Sequence, residues 1–137
     1  MRIVGQNNRE NLLASITACK ALDISDQAIQ KCIEKFPGIP HRLEFLMEKN
    51  GVSFYNDSKA TNVHAVMRAL DSFDENVILI MGGKDTNLNY EPLRERIRAK
   101  VKTLILVGEA KERINRDIGD YSETFLIGTF TLKIPAI

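Results

Sequence analysis

The chain has 137 residues, of which 44% are apolar and 27% charged, the size and mixture of one globular domain. Nineteen Lys and Arg against eighteen Asp and Glu leave a net charge of +1, which excludes the basic excess that drives nucleic-acid binding. The longest apolar run, Val77 to Met81, is far shorter than the roughly 20 residues of a membrane span. Cys19 and Cys32 are spaced neither as Cys-x-x-Cys nor as a disulfide framework. We therefore expect a reduced cytoplasmic domain without nucleic-acid or membrane partners.

The first forty residues predict two helices. Asn7 and Glu10 have the spacing of a capping box, and Leu12, Ile16 and Cys19 recur on one helical face. Ser25 is the expected N-cap of a second helix with the apolar stripe Ile29, Ile33 and Phe36, which Pro37-Gly38 would end.

The remaining chain predicts a hairpin followed by a small parallel α/β layer. Segments 43–49 and 52–56 flank Asn50-Gly51, the strongest short hairpin signal. A helix marked by Val63, Val66, Met67 and Leu70 follows, and then apolar strands at 77–81, 104–107 and 124–127 alternate with helices beginning near Pro92 and at 110–118. Such alternation predicts right-handed crossovers and a parallel, doubly wound sheet covered on both faces.

Three polar segments are candidates for chemistry, because ligands of such sheets bind beyond the carboxyl ends of the strands. In 56–62, an Asp could accept from two ribose hydroxyls and a Lys could face a phosphate or carboxylate; equally, Asp57 or Ser58 could simply cap the next helix. Gly82-Gly83 could let the backbone approach a ligand, although a tight strand-to-helix turn explains the pair as well. His41-Arg42 is by composition a surface pair, and His64 alone indicates nothing.

Several common sites are missing from the sequence. It contains no P-loop motif, no Gly-x-Gly-x-x-Gly, no His-Glu-x-x-His and no Gly-x-Ser-x-Gly. Two distant histidines and two distant cysteines give no zinc-ligand spacing, so we predict no metal ligands in this chain.

Taken together, the motifs resemble a known family. They are Gly5-x-x-Asn8-x-x-Asn11, Phe36-x-Gly38-x-x-His41-Arg42-x-Glu44, Asn50-Gly51-Val52, Asn-Asp-Ser-Lys-Ala-Thr-Asn at 56–62, and Gly82-Gly83-x-Asp85. Their order and spacing over roughly residues 5–130 are similar to the Mur ligases that add D-glutamate in peptidoglycan synthesis. The string at 56–62 is the most specific, since sister Mur ligases and folylpolyglutamate synthases differ there.

The resemblance implies an ATP-dependent amide ligase of three domains, with functions in cell-wall biogenesis, cell shape and cell division. ATP would phosphorylate the carboxylate of UDP-N-acetylmuramoyl-L-alanine, and the amine of D-glutamate would displace phosphate from the acyl phosphate. Mg²⁺ would accompany ATP, held by residues of the central domain. The implied domains are 1–36, the helical end of the central domain; 37–130, an incomplete Rossmann-like C-terminal domain; and 131–137, a divergent tail.

Residue roles follow from the same resemblance. Asn8, Asn11, Arg42 and Asp57 would bind the nucleotide, Asn11 at the adenine and Asp57 at the ribose. Lys59 would be catalytic and, with Thr61, would face the reacting phosphate and D-glutamate, while Gly82, Gly83 and Lys84 would shape the D-glutamate site.

The sequence also departs from the family pattern. Asn7 replaces a His, Thr86 stands where many members have a glutamate-binding Lys, and the chain closes on Gly128–Ile137 without the family's final motif. These departures, with the missing P-loop, predict a C-terminal fragment that is inactive alone. The alternatives are a stand-alone nucleotide- or amino-acid-binding module and a non-functional remnant.

Overall fold

A computed structural model describes residues 5–128 of the chain, so the predicted tail at 131–137 lies outside the described residues. The chain divides into two compact units between Ser72 and Phe73. The predicted domain boundary after residue 36 stays a prediction.

The first unit contains the predicted helical pair, hairpin and third helix. These are α1 (Gln6–Ala21), α2 (Asp26–Lys35), β1 (Glu44–Lys49), β2 (Val52–Asn56) and α3 (Val63–Leu70). Ser25 caps α2 as predicted, since its side chain accepts from the Ala28 amide. The capping box at Asn7 is wrong, because α1 begins at Gln6 and Gly5, two residues before Asn7, occupies the N-cap position without a side-chain cap bond.

The hairpin forms where the Asn-Gly signal predicted it. β1 and β2 pair antiparallel, with Lys49 opposite Val52, and the turn residues Asn50 and Gly51 adopt φ of 53° and 76°. Both values lie in the left-handed region that a two-residue hairpin turn of this kind requires. The turn thus fixes the register as far as Met47 opposite Phe54, and a bulge between Phe45 and Met47 then places Asn56 opposite Glu44.

The second unit is a three-stranded parallel sheet in the order β3-β4-β5. Its elements are β3 (Val77–Gly83), α4 (Arg94–Lys100), β4 (Val101–Gly108), α5 (Lys111–Ile118) and β5 (Glu123–Leu126), with short 3₁₀ turns at Glu91–Leu93 and Gly119–Tyr121. Pro92 lies in the first of these turns rather than in α4. The α/β fold class predicted from the sequence is confirmed, and β4 begins three residues earlier than expected.

The helices of the second unit cover one face of its sheet. Several side chains of this unit are buried, with at most 1% of their surface exposed, including Leu104 and Leu106 of β4, Ile97 of α4, and Ile114 and Ile118 of α5. On the opposite face, Ile78 and Ile80 are 55% and 66% exposed. The prediction that both faces are covered is therefore wrong at these positions, because two successive crossovers of the same hand place α4 and α5 on the same side.

Candidate functional site

A polar cavity of about 730 Å³ lies within the first unit. Five of the residues implied by the sequence line it together: Asn8, Arg42, Asp57, Lys59 and Thr61. They come from the first turn of α1, the loop before β1 and the segment between β2 and α3. We call this space the polar cavity; its size is typical of a small-molecule site.

The segment from Asp57 to Asn62 is folded by its own backbone. The Ala60 amide donates to the Asp57 carbonyl at 2.8 Å, and the Thr61 amide donates to the Lys59 carbonyl at 2.9 Å. Asn62 then caps α3, with its Oδ1 accepting from the Ala65 amide at 2.9 Å. The structural alternative that Asp57 or Ser58 caps this helix is therefore wrong, which leaves both ahead of the helix in a compact turn.

Arg42 lies in a strained loop held by a network of hydrogen bonds. Its neighbours His41 and Leu43 have φ of 63° and 44°, a region that costs a residue with a Cβ about 1–2 kcal/mol. The His41 amide donates to a Glu44 carboxylate oxygen at 2.8 Å and the Leu43 amide donates to Asp57 Oδ1 at 3.0 Å. The Lys59 amide donates to the His41 carbonyl at 3.1 Å, so one network fixes the backbones that carry Arg42, Asp57 and Lys59.

Asp57 is half-buried at the wall of the polar cavity. Desolvation by burial raises the pKa of its carboxyl above the ordinary value, and the Leu43 amide and the Arg42 charge offset part of that rise. The raised pKa means that the ionised carboxylate is less stable in the folded chain than in the unfolded chain. Its burial therefore costs stability at neutral pH.

This raised pKa predicts a pH dependence of stability with a definite sign. Between the unfolded pKa and the raised folded pKa the native state binds more protons, so the free energy of unfolding should fall as pH rises. Asp57→Asn should remove this slope and keep an acceptor for the Leu43 amide. Urea unfolding by circular dichroism from about pH 3.5 to 6.5 measures it. An unmodified chain whose free energy of unfolding rises with pH relative to that of Asp57→Asn would contradict the assignment.

A second, apolar cavity of about 380 Å³ lies between α1 and α2 and the proline loop that follows them. Asn11 lines it, and Ile16, Ile33 and Phe36 are among its apolar lining residues. Asn8, Arg42 and Leu43 line both cavities. An apolar chamber with two amide side chains thus adjoins a polar, cationic one.

The second unit carries the remaining candidates at the end of β3. Gly82 and Gly83 pair with Val107 and Gly108 of β4, and a Cβ on Gly82 would lie only 2.8 Å from the Val107 carbonyl carbon. The Ala110 amide donates to the Gly83 carbonyl at 3.0 Å. The glycines therefore have a structural role, since the backbones approach too closely for a side chain at position 82.

Lys84 follows these glycines and is exposed. The loop after it is fixed by Asp85, whose two carboxylate oxygens both lie 3.0 Å from Arg113 Nε. The Asn87 amide also donates to Asp85 Oδ1 at 2.9 Å. The hydrogen bond from the Asn87 amide, and after it the hydrogen bond from Arg113, lowers the pKa of Asp85. The carboxylate therefore stays ionised and holds the loop.

The structure adds residues to the polar cavity to which the sequence assigned no function. His64 and Arg68 of α3 line it, and their spacing of four residues places them on one helical face. That spacing, directly after the motif at 56–62, was a signal available in the sequence. Among the described residues no group of three or more His, Cys, Asp and Glu side chains could hold a metal ion.

A comparison with protein-family models matches residues 41–131 to the glutamate ligase domain of Mur ligases. The chain belongs to the Mur ligase family. The matched residues include the Arg42 loop, the segment at 56–62 and the glycine pair at the end of β3. The family resemblance drawn from the motifs is thereby confirmed.

Three curated relatives of this Mur ligase chain carry the name UDP-N-acetylmuramoylalanine–D-glutamate ligase. The protein from Bdellovibrio bacteriovorus is 66% identical over 130 residues, covering 95% of this chain and 28% of the relative. The proteins from Syntrophus aciditrophicus and Geotalea daltonii are 44% and 41% identical over 136 and 128 residues, covering 30% and 28% of those proteins. The chain thus spans less than a third of the length of these relatives.

No helix within residues 5–128 is both long and apolar enough to span a membrane.

Proposed function

We propose that this chain is the C-terminal part of an ATP-dependent ligase that joins D-glutamate to UDP-N-acetylmuramoyl-L-alanine in peptidoglycan synthesis. The observation that carries the proposal is the shared polar cavity, which collects Asn8, Arg42, Asp57, Lys59 and Thr61 in a chain 66% identical to a ligase of that name. A cytoplasmic location belongs to the same proposal. So does the division of this chain into the end of the central domain (1–36), an incomplete Rossmann-like C-terminal domain (37–130) and a divergent tail (131–137).

The two adjoining cavities fit the two ends of an adenine nucleotide. The apolar cavity would take the base, with the amides of Asn8 and Asn11 as hydrogen-bonding groups at its edge. Asp57 Oδ1 already accepts from the Leu43 amide, so we assign Oδ2 to the ribose hydroxyls. Arg42, which lines both cavities, would hold the phosphates, because a guanidinium recognises phosphate oxygens through a fixed fork of donors.

Lys59 and Thr61 would act at the reacting centre. A carboxylate is a poor acceptor for an amine until phosphorylation by ATP turns it into an acyl phosphate, from which attack by the D-glutamate amine releases phosphate. Negative charge develops on the phosphoryl oxygens in both steps, and a fixed ammonium lowers the energy of that charge. The lining of the polar cavity has the right sign, with Arg42, Lys59 and Arg68 against the single carboxylate of Asp57.

Magnesium ions would accompany ATP in the complete enzyme. Among the described residues, no three or more His, Cys, Asp and Glu side chains are grouped as ligands of a metal ion. We therefore derive no step through the metal in this chain. Gly82, Gly83 and Lys84 would shape the D-glutamate site, and Lys84 would replace the Lys that many members carry at the position of Thr86.

A hybrid ligase tests the proposal. This chain replaces the matching 130 residues of the Bdellovibrio bacteriovorus relative, and phosphate release is measured with ATP, D-glutamate and UDP-N-acetylmuramoyl-L-alanine. We expect turnover by the hybrid that requires all three substrates, and blank-level release from the 137-residue chain alone. A soluble hybrid without D-glutamate-dependent turnover would overturn the proposal.

The same chain alone should bind a non-hydrolysable ATP analogue with a Kd above about 1 mM, a free energy of only about −4 kcal/mol. Calorimetry or an NMR titration measures it.

The polar cavity is lined by residues of the first unit alone, which is the observation that favours the alternative of a stand-alone binding module. Micromolar affinity without turnover would select that alternative, and neither binding nor a functional hybrid would leave the non-functional remnant.

A further inference from the structure

The first residue of the described chain adopts a backbone conformation that favours glycine. Gly5 has φ of 93° and ψ of 143° and is the N-cap of α1, and its carbonyl accepts from the Arg9 amide at 3.3 Å. Gly5 itself makes no side-chain capping bond at this end of the helix. The usual reason for a residue at the N-cap, a side-chain acceptor for the free amides, therefore does not account for Gly5.

The space around Gly5 gives another reason. A Cβ at this position would collide with Ser72 Oγ, just beyond the end of α3, and would lie 3.4 Å from Leu43 Cδ1. Ser72 is held in place, because its Oγ donates to the Arg68 carbonyl at 3.1 Å and its amide donates to the Ala69 carbonyl at 3.0 Å. The start of α1 and the end of α3 thus touch through a glycine and a fixed hydroxyl.

This contact lies at the wall of the polar cavity, which both Gly5 and Ser72 line. Asn8 follows Gly5 in the first turn of α1 and lines both cavities. Asn8 is only three residues after Gly5, less than one helical turn of about 3.6 residues, so the place of Gly5 against Ser72 constrains where Asn8 stands relative to α3 and the segment at 56–62.

We propose that Gly5 and Ser72 are positioning residues, whose contact sets Asn8 at the junction of the two cavities so that its amide can meet the nucleotide base. The inference rests on the proposed nucleotide function for its ligand, but the contact itself is a property of the free chain. A Cβ at position 5 would push the start of α1 away from α3 and move Asn8 out of place.

The test uses the whole 137-residue chain as Gly5→Ala, Ser72→Ala and the double variant. Gly51→Ala is the matched control, because Gly51 also has a positive φ, 76°, but a Cβ there would meet nothing within 4 Å. It separates the cost of the left-handed backbone from the cost of the collision, and Gly51 lies at the hairpin turn, outside the residues that line either cavity.

Two readouts are recorded by NMR. In the free proteins, cross-relaxation between Gly5 and Ser72 protons and the shift of the Asn8 side-chain amide report the contact. With a non-hydrolysable ATP analogue, and with inorganic triphosphate as a probe without a base, titrations report binding. We expect Gly5→Ala to weaken analogue binding about fivefold or more while changing triphosphate binding less than about twofold, the pattern of a misplaced base contact.

The double variant decides between collision and simple destabilisation. Removing the Ser72 hydroxyl should relieve the collision, so the double variant should bind the analogue within about twofold of Ser72→Ala alone, and Gly51→Ala should bind like the unmodified chain. A Gly5→Ala chain with unchanged Asn8 shift and unchanged affinity, or a double variant as weak as Gly5→Ala, would overturn the proposal. If the unmodified chain binds neither probe, the Gly5–Ser72 cross-relaxation and the Asn8 shift in the free proteins still confirm or refute the positioning contact, and turnover by the hybrid ligase decides the proposed function separately.

Discussion

Lys59→Ala in the hybrid ligase is expected to lower kcat by about 100-fold or more, because it removes a fixed positive charge from a reaction that builds negative charge on phosphoryl oxygens. Lys59 lines the polar cavity beside Asp57 and Thr61, and its backbone amide donates to the His41 carbonyl at 3.1 Å. The alanine variant keeps that amide, so the turn should remain folded. Steady-state phosphate release at saturating substrates measures the loss.

Two comparisons make this result specific. Lys49→Ala removes an exposed lysine at the end of β1 and should leave kcat within about twofold, since surface substitutions of this kind rarely matter. Lys59→Arg keeps the charge but changes its shape and reach, and should be intermediate. A Lys59→Ala hybrid that retains turnover within about tenfold would contradict the catalytic assignment.

Gly82→Ala is expected to destabilise the second unit by about 3 kcal/mol, the cost of forcing an extra carbon into a packed backbone and a strained φ. Gly82 has φ of 146°, and its Cβ would lie 2.8 Å from the Val107 carbonyl carbon and 3.0 Å from the Val107 nitrogen. These atoms belong to the neighbouring strand and cannot rotate away as a side chain can. Urea unfolding followed by circular dichroism measures the change.

Gly83→Ala provides the control for this prediction. Gly83 also has a positive φ, 115°, yet a Cβ there would meet nothing within 4 Å, so only the backbone strain of about 1 kcal/mol applies. Equal effects at the two positions would refute the close approach of β3 and β4. Because Gly83→Ala should remain folded, it is also the better variant for testing whether this loop shapes the D-glutamate site in the hybrid.

Local signals in the sequence were sufficient for most of the fold. The Asn50-Gly51 turn, the Ser25 cap and the three apolar strands act within a few residues, so pattern and propensity determine them. The start of α1 was wrong because a capping pattern at Asn7 competes with tertiary packing, and the contact between Gly5 and Ser72 joins residues 67 positions apart. Nothing local to either residue encodes that contact.

The candidate site was predictable in part for the same reason. The motif residues were recognisable by their order, whereas the bond from the Leu43 amide to Asp57 and the presence of His64 and Arg68 in the cavity wall depend on how separate elements pack. The exposed Ile78 and Ile80 show the converse limit: apolar alternation predicts a strand but says nothing about which of its faces a helix covers.

The bond between the Leu43 amide and Asp57 Oδ1 affects how mutational data on this family must be interpreted. One carboxylate holds the left-handed loop around Arg42 and is also our choice for the ribose, so removing it disturbs two groups of the nucleotide site at once. A loss of affinity in Asp57→Ala is therefore not the energy of a ribose contact. Separating the two requires a thermodynamic cycle in which Asp57→Ala and Asp57→Asn are each combined with Arg42→Ala, and with 2′- or 3′-deoxy nucleotides that delete one hydroxyl at a time.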